Sequence, residues 1–294
     1  MSEPPAHSSP VWSTPRSASA SWSQPAKPSP APDSQPELQV SLAPNGVLPI
    51  DKPSGWTSFD VVAVARRVIG AKRVGHGGTL DPLATGLLPL LIGPATKFAD
   101  TLHTASKVYA ALVTFGHETA TDDREGPPTR RADVPRLSVA ELDGALDPFR
   151  GEIAQVPPAY AAVKVDGRRA YSRARSGETF TLAPRTVTIE RLAIASWEAP
   201  ALRLLVVCST GTYIRSLARD IGVALGSAAH LGDLRRLAVG GLTVDDALTV
   251  ETLRGTPPAT LVLQEADDRI LALAERFRTE PAEAILSTWG KRTE

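Results

Sequence analysis

Cysteine is almost absent from the sequence: Cys208 is the single one among 294 residues. One cysteine excludes an internal disulfide framework and a cysteine-rich metal site, as is usual for proteins of a reducing cytosol. No apolar run approaches the roughly 20 residues of a membrane-spanning helix. The 32 basic residues only balance the 32 acidic ones, so any nucleic-acid surface must come from local clustering. We therefore expect a cytoplasmic globular protein without a membrane span.

Proline and serine are abundant at the N-terminal end. Ten of the 26 prolines and eleven serines lie in residues 1–45, which contain few aliphatic residues. Such a segment buries too little apolar surface to offset its conformational entropy, and it lacks the apolar region of a signal peptide. We therefore expect residues 1–45 to be a disordered extension, with order beginning at a strand over residues 46–50.

One glycine-rich stretch organises the rest of the chain. Residues 75–86 read G-H-G-G-T-L-D-P-L-A-T-G and precede the apolar run Leu87–Ile92. Glycine, proline and small polar residues disfavour a helix, so a loop is expected to lead into a buried strand, which Pro89 places at an edge or a bend. Asp81 then lies at the loop tip. From the residues alone it is a nucleophile, a general acid or base, or the cap of a turn.

Hydrophobic periodicity predicts both helices and strands after residue 45. A helix is expected over residues 58–69, with Ser58 as its N-cap and Gly70 at its end. Strands are expected at 107–116, 185–192 and 202–208, and further helices at 138–149 and about 266–277. Arg215 lies at a strand-to-helix junction, where the helix dipole disfavours a cation, so we expect it to pair with a carboxylate such as Asp81.

Basic residues cluster locally in this neutral chain. Five basic residues and one acidic residue lie between Lys164 and Arg175, which fits either a phosphate-binding patch or an ordinary exposed helix face. Arg235 and Arg236 either reach phosphates or cap the end of a helix. The histidines lack carboxylate or cysteine partners at metal-ligand spacing, so no metal site is expected.

Four motifs resemble those of the TruB family of tRNA pseudouridine synthases, and the resemblance covers about residues 46–255. The pattern G-H-x-G-T-L-D-P-x-A-x-G-x-L is met at every specified position from Gly75 to Leu88. The other three are D-K-P-x-G-x-T-S from Asp51, S-x-G-T-Y-I-R-S from Ser209 and G-x-x-A-H-x-x-x-L-R-R from Gly226. In the loop that resembles the family's T-D-T-x-D-x-x-G, Ala120 replaces the usual first aspartate, so we leave this loop out of the predicted catalytic set.

The resemblance implies a fold, a reaction and a partner. The fold is α+β, the pseudouridine synthase fold, with a mixed, mainly antiparallel sheet around a central RNA-binding cleft. Residues 46–255 form the catalytic domain and residues 256–294 a short tail, with a full PUA module absent. The reaction isomerises the uridine at position 55 in the T-arm loop of tRNA to pseudouridine by base flipping, without cofactor or metal. The expected partner is the tRNA T-arm, with no obligate protein partner, and the protein is expected to be a monomer.

The resemblance also implies roles for individual residues. Asp81 is the essential catalytic aspartate, Arg215 orients it, and Tyr109 stacks on the flipped uracil. The predicted substrate- and RNA-binding residues are His76, Lys52, Tyr213, Leu234, Lys164 and Arg168. Lys52 is open to a structural role as well as to a place near the RNA.

Two other functions compete with isomerisation. A non-catalytic RNA-binding or tRNA-folding factor would need the cleft but not Asp81. A hydrolase acting on another glycosidic bond normally needs a second carboxylate, and no recognisable site supplies one. The combination of Asp81, Tyr109 and Arg215 favours the isomerase.

Overall fold

The computed structural model describes residues 44–161, 163–165, 167–176, 178 and 180–289. The predicted disordered extension, except for Pro44 and Asn45, lies outside the described residues. Within those ranges no helix is both long and apolar enough to cross a membrane.

A large mixed sheet forms the centre of the fold. Its strands run in the order β14-β1-β3-β12-β4-β11-β10-β7, with β2 added to β3 and β13 added to β12, while β5–β6 and β8–β9 form separate two-stranded sheets. The strand bounds are β1 Gly46–Lys52, β2 Val74–His76, β3 Thr85–Ile92, β4 Lys107–Phe115, β5 His117–Thr119, β6 Pro128–Arg131, β7 Gly151–Gln155, β8 Lys164–Val165, β9 Arg168–Arg169, β10 Arg185–Glu198, β11 Ala201–Cys208, β12 Ala229–Val239, β13 Leu242–Thr243 and β14 Leu248–Thr249.

Helices pack on the faces of this sheet and at its margins. Their bounds are α1 Ser58–Ile69, α2 Ala99–Thr104, α3 Val139–Ala145, α4 Ala170–Arg175, α5 Ile214–Ala224, α6 Val250–Gly255, α7 Arg276–Thr279 and α8 Ala282–Ile285. Short 3₁₀ turns cover Gly93–Phe98, Asp147–Phe149, Val244–Asp246, Pro258–Thr260, Asp268–Leu271 and Leu286–Thr288. Only the β1–β14 and β3–β12 pairs of the large sheet are parallel. The predicted α+β fold with a mainly antiparallel sheet is therefore confirmed.

The central strands carry core residues on both faces. In β4, Ala111, Val113 and Phe115 pack with α3 and α5, whereas Val108 and Ala110 point into a second core on the other face. Because side chains alternate along a strand, a buried strand covered on both sides reads as a nearly continuous apolar run. This is why Lys107–Phe115 and Ala201–Cys208 are recognisable as strands from their sequence.

The position of Pro89 differs from the prediction. Pro89 lies in β3, which is an interior strand, so the expectation of an edge strand is wrong. On one side β3 pairs with β12 at Thr85 and Gly86 and then with β2 from Leu90 onward. Pro89 falls between these two stretches, where its missing N–H removes no ladder hydrogen bond, and its carbonyl accepts from Gly77 N at 2.8 Å.

Helix α1 has the predicted length but a different cap. Thr57, not Ser58, is the N-cap, and it forms a reciprocal capping box with Asp60. Gly70 ends the helix in the left-handed conformation, with φ 69°. Ser58 instead bonds the loop that carries Asp81, because its hydroxyl accepts from Leu80 N at 3.0 Å. The sequence signal for the cap was one residue out of register because Thr57 and Ser58 have equivalent capping chemistry.

The predicted helix over residues 266–277 is wrong. The structure has a 3₁₀ turn at Asp268–Leu271 and a short helix that begins only at Arg276. Tertiary hydrogen bonds take the backbone carbonyls instead: Gly241 N donates to Ile270 O, and Arg191 donates to Phe277 O. Phe277 and Leu286 are buried in the core on one face of the sheet, so this part of the predicted C-terminal tail is packed against the catalytic sheet.

Gly86 allows β3 and β12 to come together next to the Asp81 loop. Its φ is 97°, and a Cβ at this position would lie 2.2 Å from Arg236 O. A side chain would therefore meet both an unfavourable backbone conformation and a backbone clash.

We predict that Gly86→Ala destabilises the fold by more than about 3 kcal/mol, since the clash adds to the strain of a positive φ. Gly70→Ala is the matched control, because Gly70 also has a positive φ but nothing lies within 4 Å of its added Cβ; it should cost only about 1–2 kcal/mol. Urea unfolding of both variants measures the difference. Equal losses would show that the close approach to Arg236 has no energetic weight.

Candidate active site

Asp81 lies on the loop between β2 and β3. The neighbouring Leu80 and Leu83 are buried in the core that also contains α5, and Asp81 O accepts from Ala84 N at 3.1 Å in a tight turn. The Asp81 side chain is 40% exposed. The loop therefore holds a carboxylate at the surface while its flanking side chains are fixed in the interior.

Arg215 holds the Asp81 carboxylate from the first turn of α5. Its Nε lies 3.0 Å from Asp81 Oδ2, and its Nη1 lies 3.7 Å from Asp123 Oδ2. The guanidinium also donates to Thr121 O and to Tyr160 O, both at 3.2 Å. The Arg215 side chain is buried, so these contacts replace the water that it loses. The carboxylate partner expected for this helix-start arginine is present in the geometry.

Asp123 is the functional-site residue that the sequence analysis missed. Its loop is not part of the predicted catalytic set, because Ala120 replaces an aspartate there. In the structure the buried Asp123 carboxylate faces Arg215 and also accepts from Thr121 Oγ1 at 2.5 Å and Glu125 N at 3.0 Å. The later aspartate of the T-x-T-x-D pattern was the available signal. The neighbouring Asp122 adopts a φ of 60° and pairs with Arg219 at 2.7 Å.

Arg236 is a buried residue that hydrogen-bonds the backbone on both sides of Asp81. Both alternatives considered for it, a phosphate contact and a helix cap, are wrong, because it lies in strand β12 and is fully buried. Its guanidinium donates to Leu87 O at 2.7 Å and to Gly78 O at 3.0 Å. Burial lowers the pKa of Arg236 from its ordinary value.

Tyr109 lies in β4 with Arg236 directly across the strand pair. Its ring packs against the core that contains Leu234. Burial raises the pKa of the Tyr109 phenol, although the Arg236 cation opposes this shift. The phenol is therefore neutral at physiological pH, and its ring is held by the strand register and by its packing against the core.

Lys52 has a structural position. Its side chain is fully buried, and Nζ donates to Trp56 O at 2.6 Å, Pro53 O at 3.0 Å and Pro82 O at 3.2 Å. Lys52 therefore connects the end of β1 to Pro82, the residue after Asp81. The direct RNA contact predicted for Lys52 is not available in this structure. Burial lowers its pKa to about 8, and the Asp81 carboxylate opposes this shift.

Tyr213 and Leu234 belong to two different elements, the N-terminus of α5 and strand β12. Leu234 is a buried residue of β12, and half-buried Tyr213 is the N-cap residue of α5. The Tyr213 backbone is fixed by Gln155, whose side-chain amide accepts from Tyr213 N at 2.8 Å and donates to Tyr213 O at 3.1 Å. Burial raises the pKa of the Tyr213 phenol. Gln155 had no motif that could have indicated this role.

The remaining predicted binding residues have no hydrogen bond or ion pair with Asp81 or Arg215 in the part of the chain that the structure describes. His76 ends β2 and is half-buried; burial and the Arg236 cation lower its pKa, so its ring is neutral at pH 7. Arg168 is exposed and pairs with Glu178 at 2.8 Å. The backbone of Lys164 belongs to β8, but its side chain lies outside the described part of the chain.

A cavity of about 730 Å³ lies beside this site and does not include Asp81. Its walls combine Trp56 and Phe277 with ion pairs such as Asp51–Arg235, at 2.6 Å. The other arginine considered for phosphate binding, Arg235, is thus held by a carboxylate. The candidate site is the Asp81 loop and not this cavity, because neither Asp81 nor Arg215 lines the cavity. Among the residues with described placement, no cluster of three or more His, Cys, Asp or Glu is arranged to hold a metal ion.

Comparison with known families accounts for this arrangement. Residues 66–214 match the model of the TruB family pseudouridylate synthase N-terminal domain, and residues 215–275 match that of the tRNA pseudouridylate synthase B C-terminal domain. The chain belongs to the TruB family. The family resemblance deduced from the motifs is thereby confirmed.

Curated TruB proteins align with most of the chain. It is 48% identical over 209 residues to the tRNA pseudouridine synthase B of Solibacter usitatus, which covers 71% of each protein. It is 46% identical over 263 residues to that of Leifsonia xyli subsp. xyli, which covers 86% of this chain and 85% of the relative.

Solved structures share the fold of this TruB protein. A chain in the crystal structure of a Cbf5-Nop10-Gar1 complex is 32% identical, with a TM-score of 0.55 over 70% of this chain. The match covers 52% of that chain, so the TruB protein spans about half its length. The prediction of the pseudouridine synthase fold is confirmed.

We predict that Lys52 makes the stability of this TruB protein depend on pH. Its ordinary pKa is 10.5 and its folded value is about 8. Between these values the unfolded chain binds more protons than the folded protein, so the free energy of unfolding rises with pH, by at most about 1.4 kcal/mol per unit. Relative to Lys52→Met, the wild type should gain about 2 kcal/mol between pH 8 and pH 10 in urea unfolding.

Lys72→Met, which removes an exposed lysine, is the control, and its difference from wild type should not grow over this range. A difference between wild type and Lys52→Met that stays constant with pH would contradict the burial of a charged Lys52.

Proposed function

We propose that this TruB protein isomerises the uridine at position 55 in the T-arm loop of tRNA to pseudouridine. The observation that carries the proposal is the exposed Asp81 carboxylate fixed by Arg215. The Tyr109 ring lies on β4, which only β12 separates from β3 in the sheet. The curated relatives named tRNA pseudouridine synthase B support the substrate class. We keep the expectations of a monomer in the cytoplasm, without an obligate protein partner, as part of this proposal.

The reaction breaks the bond between C1′ of the ribose and N1 of the uracil and forms a bond between C1′ and C5. The C5 proton is lost and N1 gains one, so the product is an isomer of the substrate. No oxidant, reductant or phosphate donor enters this balance, and the proposal includes no cofactor. A uracil in the stacked loop is out of reach of an active-site carboxylate, so the base must first flip out, at a cost of a few kcal/mol.

Asp81 is assigned to the reacting ribose–base bond, because it is the exposed carboxylate of the site. Arg215 is buried and contacts Asp81, Asp123 and two backbone carbonyls. It is therefore a positioning residue: it fixes the Asp81 rotamer before the substrate arrives, which reduces the ordering cost in the transition state.

The pocket for the flipped uracil is assigned to Tyr109, Leu234 and Tyr213. An aromatic face on one side stacks on any orientation of the base, which suits a uracil that must rotate between bond cleavage and rejoining. A buried leucine on another wall excludes water, so that the detached base is retained. His76 lies at the rim, where we place the opened RNA loop.

We predict that Asp81→Asn abolishes isomerisation without unfolding the protein, since the amide keeps the side-chain shape but loses the charge. The measurement is tritium release from T-arm stem-loop RNA labelled at C5 of its uridines. Wild type should release tritium and Asp81→Asn should not, although both bind the RNA. Release by both proteins would remove Asp81 from its role, and binding without release by wild type would favour a non-catalytic tRNA-folding factor.

We also predict that Asp123→Asn lowers kcat about 10- to 100-fold with little change in RNA affinity. The amide oxygen still accepts from Thr121 and Glu125, but Arg215 loses its second carboxylate and no longer holds Asp81 as tightly. Asp122→Asn is the matched control, because this neighbouring carboxylate pairs with Arg219 instead. Single-turnover rates of the two variants separate them, and an equal effect at both positions would contradict a specific role for Asp123.

A further inference from the structure

Phe59 is an exposed aromatic residue beside the active-site loop. It lies in the first turn of α1, and 77% of its surface is accessible. Among the described residues, the other exposed large apolar side chains are the valines at 139, 156, 223 and 262, so Phe59 is the aromatic one in this set. The chain has only 15 aromatic residues (5 Trp, 4 Tyr and 6 Phe), and Phe is usually buried. A single exposed apolar residue is common on protein surfaces, so the case for Phe59 depends on where it is held.

The backbone around Phe59 is fixed to the Asp81 loop. The capping box of Thr57 and Asp60 holds the first turn of α1. Ser58, the residue before Phe59, accepts from Leu80 N at 3.0 Å and donates to Leu80 O at 3.3 Å. Leu80 directly precedes Asp81, so Phe59 and the catalytic carboxylate are mounted on one rigid unit.

The His76 ring contacts the Phe59 ring. Their ring centroids are 6.3 Å apart with an interplanar angle of 87°, a T-shaped arrangement. His76 is neutral at pH 7 because burial lowers its pKa. The contact helps to orient the Phe59 ring, and the 77% of Phe59 that stays exposed leaves surface available for stacking.

The segment that carries Phe59 has a local excess of positive charge. Residues 58–76 include four basic residues and one acidic residue, Asp60. The Asp60 carboxylate accepts from Thr57 N and Oγ1. The four basic residues are exposed, and none has an ion pair among the residues whose placement is described; they are Arg66, Arg67, Lys72 and Arg73. A chain of zero net charge thus keeps four cations, available to phosphates, at the end of α1 and directly after it.

We propose that Phe59 stacks on an unpaired base of the substrate RNA that neighbours the target uridine. The inference rests on the proposed function, since it takes the RNA loop at Asp81 as the ligand. An exposed aromatic face with cations nearby is the combination that binds single-stranded nucleic acid without reading its sequence. When the target uridine flips out, its neighbour loses a stacking partner, and Phe59 supplies a replacement.

The test compares Phe59→Ala and Phe59→Trp with wild type on T-arm stem-loop RNA. Phe59→Ala should raise KM about tenfold and leave kcat unchanged, because Phe59 stacks beside the target and not on it. Phe59→Trp should restore the affinity. Val223→Ala, which trims another exposed apolar residue near the end of α5, is the control and should match wild type. Thermal unfolding of each variant checks that the fold is intact.

A substrate series identifies the base. An abasic nucleotide is placed in turn at each loop position except the target, and the Kd is measured with the Asp81→Asn protein with and without Phe59→Ala. At one neighbouring position the effect of Phe59→Ala should disappear, because the base that it stacks on is gone. An unchanged KM and Kd for Phe59→Ala, or the same loss at every abasic position, would overturn the proposal.

Failure of the proposed function gives a different result. If wild type binds the stem-loop without releasing tritium, isomerisation is excluded, while the abasic series still decides whether Phe59 stacks. If wild type does not bind the stem-loop, both proposals are overturned.

Discussion

The buried guanidinium of Arg215 is the interaction on which the site depends. It joins α5 to the Asp81 loop, to the Thr121–Asp123 loop and to the segment at Tyr160. A buried arginine without partners would cost several kcal/mol, so these segments are constrained to an arrangement that supplies partners to its guanidinium. The geometry of the exposed carboxylate is therefore a consequence of the packing of an interior cation.

Two more buried cations extend the same principle beneath the glycine-rich loop. Lys52 donates to Pro82 O, and Arg236 donates to Gly78 O. A loop of glycines offers few side chains to bury, so its backbone carbonyls are the groups by which it is held. Buried cations that bind carbonyls also leave positive charge near Asp81, which favours the approach of a polyanion although the whole chain is neutral.

Local sequence signals predicted what is determined locally. The apolar periodicity of α1, its end at Gly70 and the two-sided strands β4 and β11 depend on neighbours in sequence, and the motifs indicated Asp81 and Arg215 together. The failures were long-range. Arg236 was expected to face RNA or a helix end, but its partners lie about 150 residues earlier in the chain. Likewise, in the segment expected to be a helix at residues 266–277, the carbonyls of Ile270 and Phe277 accept from Gly241 and Arg191, which are distant in sequence. No local pattern contains that information.

The interior and the surface of the site have different roles: interior bonds fix the carboxylate, and exposed side chains are available to contact RNA. A fixed carboxylate geometry requires rigid interior bonds, as at Arg215. An RNA loop that opens on binding instead requires faces that accept it in more than one orientation. Aromatic rings meet the second requirement, because stacking tolerates rotation and carries no sequence code. Since basic and acidic residues are balanced over the chain, charge contributes to RNA affinity only where cations cluster locally. The ring proposed to stack at Phe59 would add affinity close to the reacting base without requiring such a cluster.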